Sequence, residues 1–161
     1  MLRKLVFIGA AGALLAACSH DDAPARFDTG SGLHYGFFFL DEGPSAKLAY
    51  GQANSDNVGM MLECAKGSRR VDVTDVVRSA PSPTLTLASG RARASLKAEV
   101  SSGEGAPLLT ATTRSDSPVL QGFRRSGTME VAYAGLRYQM VASAKERDGV
   151  ERFFNACEAR T

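Results

Sequence analysis

One segment, Arg91 to Val100, constrains the fold most strongly because its side chains alternate strictly between two chemical types. The apolar or small positions are Ala92, Ala94, Leu96, Ala98 and Val100. The polar positions between them are Arg91, Arg93, Ser95, Lys97 and Glu99. A period of two with one apolar face predicts a strand of an antiparallel sheet that is buried on one side. Ser89-Gly90, directly before it, predicts a tight hairpin turn.

The same alternation recurs along most of the chain, starting near Ala46, Val58, Val71, Leu85, Met129 and Leu136. The aromatic run Phe37–Phe39 cannot face one side of a strand, because successive side chains point to opposite faces. We therefore expect both faces of that strand to be covered and the run to belong to the core.

Near the C terminus the period becomes that of a helix, with apolar residues at Val150, Phe153, Phe154 and Cys157. This spacing places one apolar stripe along an amphipathic helix, and Asp148 or Gly149 is the expected N-terminal cap. A shorter helical turn is predicted from Pro118 to Arg125, ended by Gly127.

Together these patterns predict a mainly β fold of about eight to ten strands followed by one helix. We expect a small antiparallel β-sandwich or flattened barrel with one C-terminal α-helix packed on it. The alternative is an open α+β antiparallel sheet with its helices on one face. The chain has 161 residues, 44% of them hydrophobic and 22% charged, which suits one globular domain. That domain is expected to span residues 34–161.

The N-terminal seventeen residues read as an export signal. Met1 to Lys4 is basic, and Leu5 to Ala17 is a run of thirteen apolar or small residues. As a helix that run would span about 20 Å, which is less than the roughly 30 Å of a bilayer core. The pattern therefore predicts a secretory signal and not a permanent membrane span.

The end of this segment, Leu15-Ala16-Ala17-Cys18, resembles the lipobox of bacterial lipoproteins. The resemblance implies that residues 1–17 are removed, that Cys18 carries acyl chains, and that these chains hold the protein on a membrane. Ser19 follows the cysteine in place of the aspartate linked to inner-membrane retention, which implies the periplasmic face of the outer membrane. Residues 18–33 are then expected to be the lipidated cysteine and a flexible tether.

Short motifs of the mature chain also resemble uncharacterised periplasmic proteins and lipoproteins of alphaproteobacteria. The motifs are Tyr50-Gly51, Ser55-Asp56, Leu62-x-Cys64 and Phe153-Phe154-x-x-Cys157. This resemblance implies a β-rich domain in the cell envelope, and it transfers no catalytic residue.

The chain has three cysteines, and setting aside Cys18 leaves Cys64 and Cys157. An exported protein meets an oxidising compartment, where such a pair tends to be oxidised. Cys64 shares the predicted inward face of its strand with Leu62, and Cys157 lies on the apolar stripe of the helix. The sequence therefore predicts a Cys64–Cys157 disulfide.

Charge and histidine content narrow the function classes. Without Arg3 and Lys4 the 19 basic residues become 17, which equals the 17 acidic residues. A balanced chain is atypical of nucleic-acid binders. The two histidines, His20 and His34, are far apart and belong to no metal-binding motif, so we expect neither a metal site nor a cofactor.

No pattern marks a catalytic residue. Ser45/Lys47 and Ser95/Lys97 place a serine and a lysine on one strand face, but a lysine that acts as a base must be buried. Lys97 is expected to be solvated among polar neighbours. The densest basic positions, Arg69-Arg70 and Arg124-Arg125, are expected to be solvated strand or turn edges, or contacts for the phosphate of anionic lipid or lipopolysaccharide.

The sequence thus favours a lipid-anchored, non-enzymatic binding or structural module of the cell envelope, with an envelope protein, a glycan or a lipid as partner. Two alternatives stay open: a β-fold carrier of a lipid or small apolar ligand, and an envelope hydrolase whose site residues the sequence does not reveal.

Overall fold

The computed structural model describes residues 25–26, 34–77, 83–102 and 105–160. The predicted signal peptide, the lipobox with Cys18, and His20 lie outside the described residues.

The described chain forms a mainly β fold with a C-terminal helix, as the sequence predicts, and it has a second helix where the sequence predicts a short helical turn. Its strands are β1 (Ala25–Arg26), β2 (Tyr35–Glu42), β3 (Ser45–Gln52), β4 (Val58–Ala65), β5 (Arg70–Val76), β6 (Thr84–Ser89), β7 (Ala92–Ser102), β8 (Pro107–Arg114), β9 (Thr128–Tyr133) and β10 (Leu136–Val141). The helices are α1 (Pro118–Ser126) and α2 (Arg147–Glu158). The spatial order of the strands is β1-β10-β9-β6-β7-β8-β5-β4-β3-β2.

Strands β2 to β10 pair in antiparallel fashion, whereas β1 pairs with β10 in parallel. β1 falls inside the predicted tether, residues 18–33, where Ala25 and Arg26 lie opposite Tyr138 and Gln139. Part of that segment therefore extends the sheet.

The single sheet curls into a nearly closed, barrel-like form. The hydroxyl of Tyr138 on β10 donates a hydrogen bond of 2.7 Å to Asp75 on β5. Four strands separate β10 from β5 in the sheet, so this contact is possible only across the enclosed interior. The sequence predicts a β-sandwich or a flattened barrel, and the nearly closed, barrel-like sheet corresponds to the second of these.

The inward faces follow the predicted alternation except at Val100 on β7 and at Leu136, the first residue of β10, which is 48% exposed. Ala98 is buried, whereas Val100 is 49% exposed although it has the same parity along the strand. Pairing between β6 and β7 ends at Thr84 and Lys97. Val100 therefore lies beyond the end of β6, where no β6 residue covers it, and its predicted burial is wrong.

The Phe37–Phe39 run is only partly in the core. Phe37 is buried and Phe39 packs against α2, where the guanidinium carbon of Arg152 lies 4.5 Å from its ring centre. Phe38 points the other way and is 38% exposed. Phe38 lies on the outer face of β2, which no second layer covers at this position within the described residues. The expectation that both faces are covered is therefore wrong there.

Helix α1 connects β8 to β9 and ends as predicted. Gly127 adopts a left-handed conformation with φ of 72°, and its N–H donates to the carbonyl of Phe123. A residue with a side chain is strained in this region, which explains the glycine at the helix end. The buried face of α1 consists of Val119, Leu120 and Phe123.

Helix α2 buries the predicted stripe of Val150, Phe153, Phe154 and Cys157, but it begins earlier than expected. Its N-cap residue is Glu146, so neither Asp148 nor Gly149 caps it. The Glu146 carboxylate accepts a hydrogen bond from the N–H of Ser143, and its carbonyl accepts one from the N–H of Val150. This local turn fixes the helix start before the predicted cap.

The predicted disulfide is present between Cys64 of β4 and Cys157 of α2, with a Cα–Cα distance of 5.8 Å. Two backbone hydrogen bonds of 3.0 Å support the same junction. The N–H of Gly67 donates to Ala156, and the N–H of Arg69 donates to Cys157. The C-terminal end of α2 is therefore attached to the β4–β5 turn covalently and by its backbone.

Candidate functional site

The lysines of the two serine–lysine pairs lie in surroundings unlike those of a catalytic base. Lys47 donates a hydrogen bond of 2.7 Å to Glu42, and this bond raises the pKa of the lysine ammonium. A lysine that acts as a base needs the opposite shift. Ser95 and Lys97 are exposed on the outer face of the sheet, and His34 is exposed before β2.

The predicted basic positions differ in whether their guanidinium groups pair with acidic side chains. Arg69, Arg70 and Arg124 have acidic partners, which are Asp116, Asp72, Glu151 and Glu158. Arg125 has none among the described residues. The sequence cannot distinguish Arg124 from Arg125, because adjacent helical residues look alike until the neighbouring helix is placed.

A strongly perturbed polar group in the described chain is Asp75, a residue that the sequence reasoning missed. Asp75 is 2% exposed, and it is the one acidic side chain that is buried there. Its Oδ1 accepts the hydrogen bond from Tyr138, while its Oδ2 has no hydrogen-bond partner within the described residues. The sequence does indicate this burial, because Asp75 has the same inward parity on β5 as Val71 and Val73.

Burial is the main cause of the raised pKa values of Asp75 and Tyr138. It raises the pKa of Asp75 to about 7, against smaller opposing effects of the Tyr138 hydroxyl and the Val76 N–H. Burial also raises the pKa of Tyr138 well above its ordinary value, and the nearby charge of Asp75 adds to that rise. A carboxyl group with a pKa near 7 is protonated in a large fraction of molecules at neutral pH.

Aromatic side chains pack around this part of the interior. The ring centres of Tyr35 and Tyr50 are 5.6 Å apart, those of Phe37 and Tyr50 are 4.9 Å apart, and those of Phe37 and Phe123 are 5.1 Å apart. The interior also holds fully buried large side chains such as Leu48, Met60, Leu62, Leu85, Leu87, Leu109, Met129 and Met140. The Asp75–Tyr138 pair is thus sealed from solvent, where it can hold a proton but cannot reach a dissolved substrate.

The outer surface offers concave areas that a partner can reach. One depression of about 590 Å³ lies on the outer face of β4, β5, β8 and β7. Its polar groups already bind one another: the Thr112 hydroxyl donates to Asp72 at 2.6 Å, Arg70 pairs with Asp72, and the hydroxyls of Thr74 and Thr110 are 3.2 Å apart. A smaller depression of about 320 Å³ lies beside the β9–β10 turn.

A groove of about 510 Å³ separates the β6–β7 turn from α1. It is lined by Ser89, Gly90, Arg91 and Ala92 on the sheet side, and by Pro118, Gln121, Gly122, Arg125 and Ser126 on the helix side. This lining contains two arginines and no acidic residue, which distinguishes it from the larger depression. The sequence reasoning did not bring Arg91 and Arg125 together, because they lie on separate elements.

Three further observations concern membrane spans, metal ligands and similarity to known proteins, and none of them assigns a function. Among the residues that the structure describes, no helix is long and apolar enough to cross a bilayer, and no three potential metal ligands lie together. Comparison of the chain with protein-family models, with curated proteins and with solved structures finds no match.

Proposed function

We propose that this protein is a lipid-anchored, non-enzymatic binding module of the cell envelope, held on the periplasmic face of the outer membrane through Cys18. The observation that carries the binding half of the proposal is the interior of the barrel-like domain, whose described inward positions are occupied by buried side chains and which the Cys64–Cys157 disulfide joins to α2. A domain built in this way meets its partners through its outer surface.

The disulfide supports the envelope location. Such bonds persist in oxidising compartments and are rare in the cytosol. Both sulfurs lie in the core, with Cys64 and Cys157 almost fully buried, so the bond belongs to the folded architecture. A lipobox followed by a disulfide-bonded domain fits a lipoprotein that is anchored on the periplasmic face of a membrane.

The packing of the interior favours a binding module over a carrier. A carrier of a small apolar ligand needs a cavity of roughly 300–1,000 Å³. In the described part of the barrel the corresponding inward positions are occupied by large side chains that contact one another. The outer grooves, in contrast, are open to solvent, and polar and charged side chains form part of their lining.

Replacement of the lipidated residue tests the anchoring half of this proposal. Cys18→Ser should abolish acylation and move the protein from the membrane fraction to the soluble fraction. Ser19→Ala is the matched control, since it changes the neighbouring residue and keeps the acylated thiol. Membrane fractionation of Cys18→Ser that matches the wild-type protein would disprove anchoring through this residue.

Chemical crosslinking in intact cells tests the binding half. Lysines of the exposed outer face should crosslink to a reproducible envelope component in the wild-type protein. A distribution of crosslinks no different from that of an unrelated periplasmic protein would contradict a role as a binding module.

A further inference from the structure

The groove between the β6–β7 turn and α1 has the features of an anion-binding site. Arg91 lies in the two-residue turn of the β6–β7 hairpin, and Arg125 lies in the last turn of α1. Both side chains are exposed, and within the described chain neither guanidinium has an ion pair or a hydrogen bond. They are therefore available to a ligand, whereas Arg124 is held by α2.

The shape of the groove depends on a close approach of its two walls. A Cβ atom at Gly122 would lie 3.0 Å from the carbonyl oxygen of Ser89 and 3.2 Å from its Oγ. The glycine thus lets α1 pack directly against the end of β6. Below this contact, the Ser89 hydroxyl donates to the Thr128 carbonyl at 2.7 Å and fixes the end of β6 to β9. These contacts hold the end of β6, next to the turn that carries Arg91, against the helix that carries Arg125.

We infer that this groove binds a phosphate ester carried by a soluble molecule or a glycan. A guanidinium binds carboxylates and phosphates with two parallel hydrogen bonds, and one arginine suffices for the two oxygens of a carboxylate. A phosphate ester presents three oxygens and up to two charges, so it can accept from both arginines. The volume of about 510 Å³ exceeds what one phosphate fills, and the remaining space suits the organic part of the ester.

The same groove is poorly suited to a bilayer surface. Protein surfaces that enter a membrane interface combine basic residues with exposed large apolar side chains. The large apolar side chains that are exposed in the described chain are Phe38, Leu40, Val100, Leu136 and Val141. None of these lines the groove, so the source of the phosphate is a ligand that enters a concavity.

This inference rests on the proposed role as a binding module, and titration calorimetry with the purified full chain in a non-ionic detergent tests it. Glucose 6-phosphate is the probe and glucose is the neutral control. We expect the phosphate ester to bind and glucose to give no signal. Arg91→Gln and Arg125→Gln should each weaken binding about tenfold, which is the size of one charge-assisted contact.

Arg160→Gln is the control for net charge, since Arg160 is an exposed arginine outside the groove. It should leave the affinity unchanged, and thermal melts of all variants should coincide. Equal weakening by Arg160→Gln, equal binding of glucose, or no binding of the ester would overturn the inference. Binding of phosphatidylglycerol in the micelles without binding of the ester would overturn it as well. Failure of these titrations leaves membrane fractionation of Cys18→Ser unaffected, so the two proposals fail separately.

Discussion

Replacement of Asp75 by asparagine should change how the stability of the fold depends on pH. Asparagine keeps an oxygen that can accept the Tyr138 hydrogen bond, but it cannot ionise. The pKa of Asp75 rises from 3.8 to about 7 on folding, so the folded state binds a proton more tightly than the unfolded state. Stability from this proton is complete below pH 4 and is lost as the pH rises through 7.

The size of the effect follows from the same two pKa values. A rise from 3.8 to about 7 corresponds to about 4 kcal/mol, since each pKa unit is worth about 1.4 kcal/mol. The wild-type protein should therefore lose up to about 4 kcal/mol between pH 4 and pH 8 through this carboxyl group. Asp75→Asn should lack that slope. At low pH the variant should be less stable by about 1–3 kcal/mol, because its amide N–H groups are buried without a partner.

Urea unfolding at several pH values between 4 and 8.5 measures these differences. The wild-type and Asp75→Asn curves of stability against pH should cross, with the variant more stable above pH 7. Asp56→Asn is the matched control because Asp56 lies in an exposed turn, and its curve should follow the wild type. Tyr138→Phe should shift the wild-type loss to higher pH, since it removes a donor to the charged form. A constant offset between Asp75→Asn and the wild type at every pH would refute the reasoning.

Two further predictions concern covalent and backbone constraints. Replacing both Cys64 and Cys157 by alanine should lower the free energy of unfolding, measured by urea unfolding, by about 4 to 5 kcal/mol; this is the value of the chain-entropy model for a 93-residue separation. Mass spectrometry of the wild-type protein without reductant should show both cysteines protected from alkylation. Gly127→Ala should lower the melting temperature more than Gly43→Ala. Both glycines have positive φ, and each substitution costs roughly 1–2 kcal/mol of backbone strain. A side chain at position 127 also meets Arg147, whereas at position 43 no described residue beyond the chain neighbours lies within 4 Å of the added Cβ atom.

Local periodicity predicts most of the architecture because burial alternates with the same period as the backbone. The strands and the stripe of α2 follow from this rule, and so does the inward aim of Cys64 and Cys157. Two apolar side chains are exposed for different reasons. Phe38 follows the alternation but has the outward parity of β2, so only its hydrophobicity suggested burial. Val100 departs from the alternation because it lies beyond the end of β6.

Sequence periodicity cannot predict the candidate sites, because each site brings together residues that are distant along the chain. Parity alone places Asp75 on the inward face of β5, but its partner Tyr138 is 63 residues away and meets it only because the sheet closes. Arg91 and Arg125 likewise share a groove only because α1 packs against the β6–β7 turn.

The buried carboxyl of Asp75 is also the point at which the sequence departs most clearly from a pattern that would maximise stability. An apolar residue would continue the inward face of Val71 and Val73 without a desolvation cost, whereas the charged carboxylate disfavours the folded state at and above neutral pH. Such local departures from an otherwise consistent pattern are expected at functional sites. Because the pair is sealed in the interior, its effect on function must pass through the stability of the barrel itself. The ligand groove, which lies at the surface, is then expected to bind with little direct influence from the protonation of Asp75.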